Sequence, residues 1–336
     1  MGGDAGGPCW EGWPLSYRYD EDDVRVRPDR RGSRPRTKER PRHVDATSGM
    51  VTAVDRGRYT VLVDGQVVTA MRARELGRKS VVVGDEVALV GDLTGQEGAL
   101  ARIVRIAERR TVLRRTADDD DPYERVVVAN ADQLVIVTAL ANPPPRTGLI
   151  ERCLVAAYVG GLEPVLCLTK ADLAEPDSLL AQYADLGVAA VTTRKGDEPE
   201  SLRTRLADRM SVLVGHSGVG KSTLVNRLVP QANRAVGVVS AIGKGRHTST
   251  SAVALPLPEG GWVIDTPGLR SFGLAHVHPD DLLAAFPDLV PGTEDCPRGC
   301  EHRSAEEECA LDDWVATGNA TPARLASYRR LLAALT

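Results

Sequence analysis

The nine residues GHSGVGKST, Gly215 to Thr223, decide how the rest of the chain is read. They follow the apolar run SVLV at residues 211–214 and open the stretch KSTLVNRLV, so a glycine-rich turn sits between a strand and a helix. That context and the spacing G-x-x-x-x-G-K-[ST] make a phosphate-binding loop. Gly215, Gly218 and Gly220 permit backbone angles that aim the amides of the loop, through His216, Ser217 and Val219, at phosphate oxygens, and the helix start adds its positive end. Lys221 is expected to reach the β- and γ-phosphates, and Ser222, followed by Thr223, to ligate Mg²⁺.

Two further motifs acquire meaning from this loop. DTPG, residues 265–268, follows the apolar run GWVI, 44 residues after Lys221. Asp265 there suits a Mg²⁺-side carboxylate, and Gly268 can offer its N–H to a γ-phosphate. TKAD, residues 169–172, ends the run PVLCL. Asp172 can accept two hydrogen bonds from N1 and N2 of guanine, which adenine lacks, while Lys170 lays its stem across the base beside Ala171 and Thr169. The segment VTT at residues 191–193, with Thr192 at its centre, is a candidate second loop around the base. In ordinary guanine-nucleotide switches the phosphate loop comes first and the base reader last; here the base reader leads and the phosphate loop and DTPG follow, which describes a circular permutation.

From Ser48 to about Arg115 short runs alternate apolar with polar, and Asp64-Gly65 marks a hairpin turn. Five or so strands in that span predict a small barrel, of the OB or the SH3-like kind. From Val126 strands alternate with helical patterns, which predicts a parallel sheet covered by helices. A last helix is expected after Thr321-Pro322, with Leu325, Tyr328, Leu331, Leu332 and Leu335 on its apolar face. The layout expected is a disordered basic arm at 1–45, a barrel at 46–115, a central α/β unit at 116–273 and a C-terminal unit at 274–336.

The 336 residues carry net charge −4, which excludes a histone-like binder, yet the basic residues are clustered. Nine of the eighteen residues 25–42 are Arg or Lys, and residues 101–115 hold six arginines against one Glu, stripes that attract polyanions. No apolar run approaches the roughly 20 residues of a membrane helix, and the first residues do not read as a secretory signal, so a cytoplasmic protein without a membrane partner is expected. Six cysteines do not make a disulfide scaffold. Cys296, Cys300 and Cys309 crowd around His302, and three thiolates with one imidazole suit a closed tetrahedral Zn²⁺. His276 and His278 are expected in solvent.

Together with NADQ at residues 130–133 and GKGRHTST at residues 243–250, these motifs resemble the circularly permuted ribosome small-subunit-dependent GTPase A family (RsgA/YjeQ), over residues 45–335. The resemblance implies a multidomain fold: an N-terminal OB-fold β-barrel, a permuted P-loop GTPase domain and a zinc-binding C-terminal domain with helices. It implies a GTPase, monomeric, that binds the small ribosomal subunit and its rRNA as the GTP form during late maturation. Subunit-stimulated hydrolysis would then release it as the GDP form. GKGRHTST would be the switch, with Thr248 or else Thr250 on Mg²⁺. Leu269 cannot orient water, so His247 is the catalytic candidate. The chain departs from the family pattern at Thr169, usually Asn, whose hydroxyl makes fewer bridging hydrogen bonds, and in the spacing of its zinc ligands.

Overall fold

The computed structural model describes residues 43–77, 80–116, 123–230, 252–266, 272–304 and 308–335. The basic arm through residue 42, the segment GKGRHTST with His247, Thr248 and Thr250, and Gly268 with Leu269 lie outside the described residues.

Five strands build the barrel: β1 (Thr47–Asp55), β2 (Arg58–Val63), β3 (Gln66–Arg72), β4 (Glu86–Gly91) and β5 (Ala101–Ile106). Between β2 and β3, Asp64 and Gly65 both take positive φ, 48° and 82°, as a two-residue hairpin turn with matching twist requires. The strands run β1-β2-β3-β5-β4, and β4 returns to pair with β1. β3 and β5 are parallel while the other pairs are antiparallel, the Greek-key closure of an OB-fold rather than an SH3-like barrel. Alternation seals Val51, Val61, Val68, Leu89 and Ile103 inside and leaves Arg102 and Arg105 of β5 outside.

A hairpin the sequence reading did not anticipate, β6 (Val112–Arg115) with β7 (Arg125–Ala129), joins the barrel to the second unit. There follow β8 (Gln133–Ala139), α1 (Thr147–Val159), β9 (Glu163–Thr169), α2 (Asp177–Ala181), β10 (Ala189–Thr192), α3 (Glu200–Leu206), β11 (Met210–Val214), α4 (Lys221–Leu228), β12 (Val253–Pro256) and β13 (Trp262–Asp265). The sheet order is β10-β9-β8-β11-β13-β12, parallel except for β12. β8 is buried along its whole length because both faces are covered. One face packs on α1; the other carries Leu202 and Leu206 of α3 with Leu224, Val225 and Leu228 of α4. β12 also pairs with β1 at Ala53 and Val253, so barrel and sheet are continuous. α3 stops at Leu206, because Asp208 turns at φ 57° and Met210 is drawn into β11.

The C-terminal part contributes α5 (Pro279–Leu283), α6 (Ala310–Ala316) and α7 (Pro322–Ala333). Thr321 caps α7, its hydroxyl accepting from the Arg324 N–H at 3.1 Å. Phe286 packs edge-on between Tyr158 of α1 and Tyr328 of α7, with ring centroids 5.8 and 5.2 Å away, and the Arg324 guanidinium lies 4.5 Å over its ring. Its apolar residues share one core with α1. His278 is exposed at the start of α5, as expected, whereas His276 is half-buried: its Nδ1 is sealed off, and burial lowers its pKa.

Candidate functional site

Strand order reverses between β8 and β11, since the chain moves from β8 out to β10 and then returns to β11 on the other side. Ligands of such sheets bind outside the carboxyl ends of the strands at that point. Residues 215–220 form the loop there. It approaches β8 so closely that a Cβ on Gly215 would stand 2.4 Å from the Val137 carbonyl oxygen. Gly220, at φ 95°, turns the chain into α4, whose first amides have no partner within the helix. Val219 is fully buried and anchors the loop, while Ser217, Gly218, Ser222 and Thr223 face outward. His216 is buried, its Nδ1 2.9 Å from the Ser217 carbonyl.

The end of β9 grips this loop directly. Thr169 is buried, and its hydroxyl donates to the Val219 carbonyl at 2.6 Å. Lys170, at φ 59°, sends Nζ to the Gly218 carbonyl at 3.0 Å and also to the Asn142 carbonyl. Consecutive residues of TKAD thus hold consecutive carbonyls of GHSGVGKST. The threonine spans the gap with its single proton.

Asp172 is exposed and accepts from the Lys195 N–H at 3.0 Å. That bond, aided by the charges of Lys195 and Arg194, holds its carboxyl below the usual carboxylate range, so it stands ionised as an acceptor. Thr192 ends β10 and is exposed; the contact with TKAD comes from its neighbour Thr193, whose carbonyl accepts from the Ala171 N–H at 3.2 Å. Thr193, Lys195 and Asn142 support the base-reading loop through main-chain atoms, which a side-chain motif does not reveal.

On the other side of the loop, β13 lies parallel to β11 with Asp265 beside Leu213. Lys221 Nζ sits 2.5 Å from Asp265 Oδ1 and 3.0 Å from the Thr266 carbonyl. The Thr266 hydroxyl donates to the Leu213 carbonyl at 2.7 Å. TKAD, the phosphate loop and the start of DTPG, up to 96 residues apart in sequence, therefore converge on one crevice.

A second centre lies before α6. The ligand atoms of Cys296, Cys300, His302 and Cys309 all fall within 4.8 Å of one another, and each sulfur is 3.5 Å from His302 Nδ1. A tetrahedral ion with Zn–S near 2.3 Å and Zn–N near 2.0–2.1 Å separates sulfur from nitrogen by about 3.5 Å, so the donor set fits zinc. Burial raises the Cys296 thiol and pushes Cys300 up to about 11, a cost that a bound cation offsets by taking the thiolates. Arg329 of α7 braces the centre, with Nε 3.1 Å from the His302 carbonyl and its two terminal nitrogens 2.9 and 2.6 Å from the Asp312 carboxylate.

The arginine stripe divides. Arg102 and Arg105 face outward, whereas Arg109 is bound to Asp85 at 2.7 Å, Arg110 lies 3.6 Å from Asp132, and Arg114 is 2.6 Å from Glu124.

Comparison with known proteins agrees with this geometry. The RsgA GTPase family model matches residues 106–275. A small ribosomal subunit biogenesis GTPase RsgA of Ectopseudomonas mendocina is 44% identical over 219 residues, 62% of this chain and 63% of that protein. The protein of the same name from Gemmatimonas aurantiaca is 37% identical over 262 residues, 76% of this chain and 84% of its own length. A crystal structure of YjeQ from Thermotoga maritima superposes with a TM-score of 0.63 at 26% identity, covering 86% of this chain and 98% of that one.

Proposed function

The chain belongs to the RsgA GTPase family, and from that premise we propose its working cycle as a GTP-hydrolysing factor in the biogenesis of the small ribosomal subunit. The observation that carries it is the lock between base reader and phosphate loop: Thr169 and Lys170 hold the Val219 and Gly218 carbonyls, so guanine and phosphates are read by one rigid body. Asp172 accepts from guanine N1 and N2. The amides of residues 215–220 and of early α4 donate to phosphate oxygens, and Lys221 moves from Asp265 onto the β- and γ-phosphates. Ser222, Asp265 and Thr248 would hold Mg²⁺, which when bound neutralises phosphate charge. Gly268 donates to the γ-phosphate, and His247 positions the attacking water. Cys296, Cys300, His302 and Cys309 hold one structural Zn²⁺.

In this cycle the GTP form binds the subunit and its rRNA, hydrolysis is stimulated there, and the GDP form leaves. The labour divides among a basic arm (1–45), a barrel (46–115), a GTPase unit (116–273) and a zinc unit (274–336). The protein works as a cytoplasmic monomer; among the described residues no helix is long and apolar enough to cross a membrane. The test is GTP turnover with and without purified small subunits. Slow hydrolysis alone and a marked acceleration with subunits is expected, and equal rates would remove the cycle.

A further inference from the structure

The NADQ stretch lies outside the nucleotide crevice, at the opposite ends of the parallel strands, and it is hydrogen-bonded to the barrel's turn before β4 and to the segment that leaves the barrel. Asn130 is 4% exposed and takes φ 56°, a conformation asparagine tolerates better than most residues. Its Nδ2 donates to the Gly84 carbonyl at 2.9 Å, and its Oδ1 accepts from the Arg110 N–H at 2.8 Å. Its own N–H donates to the Thr111 carbonyl at 2.9 Å. One side chain thus ties the turn before β4 to the segment that leaves the barrel, and its own main chain leads on to β8.

Both sides of this joint are rigid. On the barrel side, the Gly84 N–H donates to the Val51 carbonyl at 2.8 Å. Fully buried Asp85 takes two bonds from Arg109, at 2.7 and 2.9 Å, and Arg109 also donates to the Ser80 carbonyl at 2.8 Å. Gly84, at φ 87°, lets the turn close on β7, since a Cβ there would stand 1.9 Å from the Ala129 carbonyl oxygen. On the sheet side, Asp132 Oδ2 accepts from the Met210 N–H at 2.7 Å, and Gln133 Nε2 donates to Ser211 Oγ at 2.8 Å. Met210 begins β11, which runs straight into Gly215.

We propose that Asn130 is a positioning residue that makes the barrel and the strand leading into the phosphate loop one rigid lever, so that docking of the barrel on the small subunit fixes the nucleotide site in the orientation that is stimulated. The proposal rests on the subunit-stimulated reading above. The pairing of β1 with β12 keeps the barrel attached when the joint is cut, so the loss is one of alignment. A misplacement near 1 Å can lower a rate about 10²-fold, which is why alignment alone is enough to be measured.

Asn130→Asp separates the two halves of the joint. It keeps an oxygen for the Arg110 N–H and tolerates the same φ, but it cannot donate to Gly84. We expect unchanged basal GTP turnover and GTP-analogue affinity, subunit co-sedimentation within a few-fold of wild type, and stimulated kcat lower by at least about tenfold. Hydrogen exchange should accelerate at residues 83–85 and 109–111 but not at 211–214. Stimulation equal to wild type overturns the proposal. Wild-type protein that subunits fail to stimulate overturns the cycle itself and this role with it. Should N130D fail to fold, Arg109→Lys, which cannot reproduce the paired bonds to Asp85, carries the same test with the same opposing outcomes.

Discussion

A threonine hydroxyl has one proton to give, and at Thr169 it goes to the Val219 carbonyl. Removing it strands a buried acceptor, which costs about 1–3 kcal/mol. Thr169→Val should therefore weaken GDP and GTP analogues alike, by roughly five- to thirtyfold for a loss of 1–2 kcal/mol, and Thr169→Ser should restore both; fluorescence titration reads this out. Asp172→Asn acts on the base instead. It should lose GTP at least about tenfold, as a hydrogen bond to a charged group warrants, while retaining a xanthine nucleotide; unchanged GTP affinity would show that TKAD does not read the base. His247→Ala should keep nucleotide and subunit binding and lose about 10²–10⁴-fold of stimulated turnover, the usual share of a proton-handling or water-positioning group. A stimulated rate within a few-fold of wild type would move that role elsewhere.

Among the elements, those that carry their own local signal, a turn pair, a cap or a long apolar run, could be read in advance. Asp64-Gly65 dictated its hairpin, Thr321-Pro322 its helix start, and the apolar runs of β8, β9 and β11 their place in a covered sheet. The pair β6 and β7 could not, because β6 is four residues long and its partner lies beyond an acidic connection. β12 was hidden for a similar reason: four residues ending in Pro256 are a strand only because β13 and β1 flank them. The arginine stripe shows the same limit, since composition counts Arg109 and Arg114 with Arg102, and only the fold assigns the first two to Asp85 and Glu124. If β5 contacts rRNA phosphates, Arg102→Ala with Arg105→Ala should reduce the slope of log affinity against log salt by about 1–2, whereas Arg114→Ala should leave it almost unchanged. Subunit binding measured at several salt concentrations distinguishes them.

Across the whole molecule, the C-terminal part is tied in by the core it shares with α1, and Cys296, Cys300, His302 and Cys309 form a donor set that fits a metal ion. Chelation or Cys300→Ser should therefore loosen residues 290–310 first and lower the melting temperature, with GTP-analogue affinity retained; one zinc per chain by elemental analysis is the accompanying expectation. Acid acts on the same part. Arg329 holds the Asp312 carboxyl below its ordinary value, so the stabilisation is complete above about pH 4 and is lost as pH falls through the depressed folded value. Denaturation at stepped pH should show that loss in the native chain and not in Arg329→Ala.

The pairing of β1 with β12 also has a consequence for solubility. Without the barrel, the GTPase sheet would present β12 as a second bare edge opposite β10, a row of unpaired amides and carbonyls open to another chain. A fragment beginning after β5 should consequently self-associate edge to edge as its concentration rises, while the full chain at equal concentration stays apart. In this protein the barrel is also the guard against aggregation.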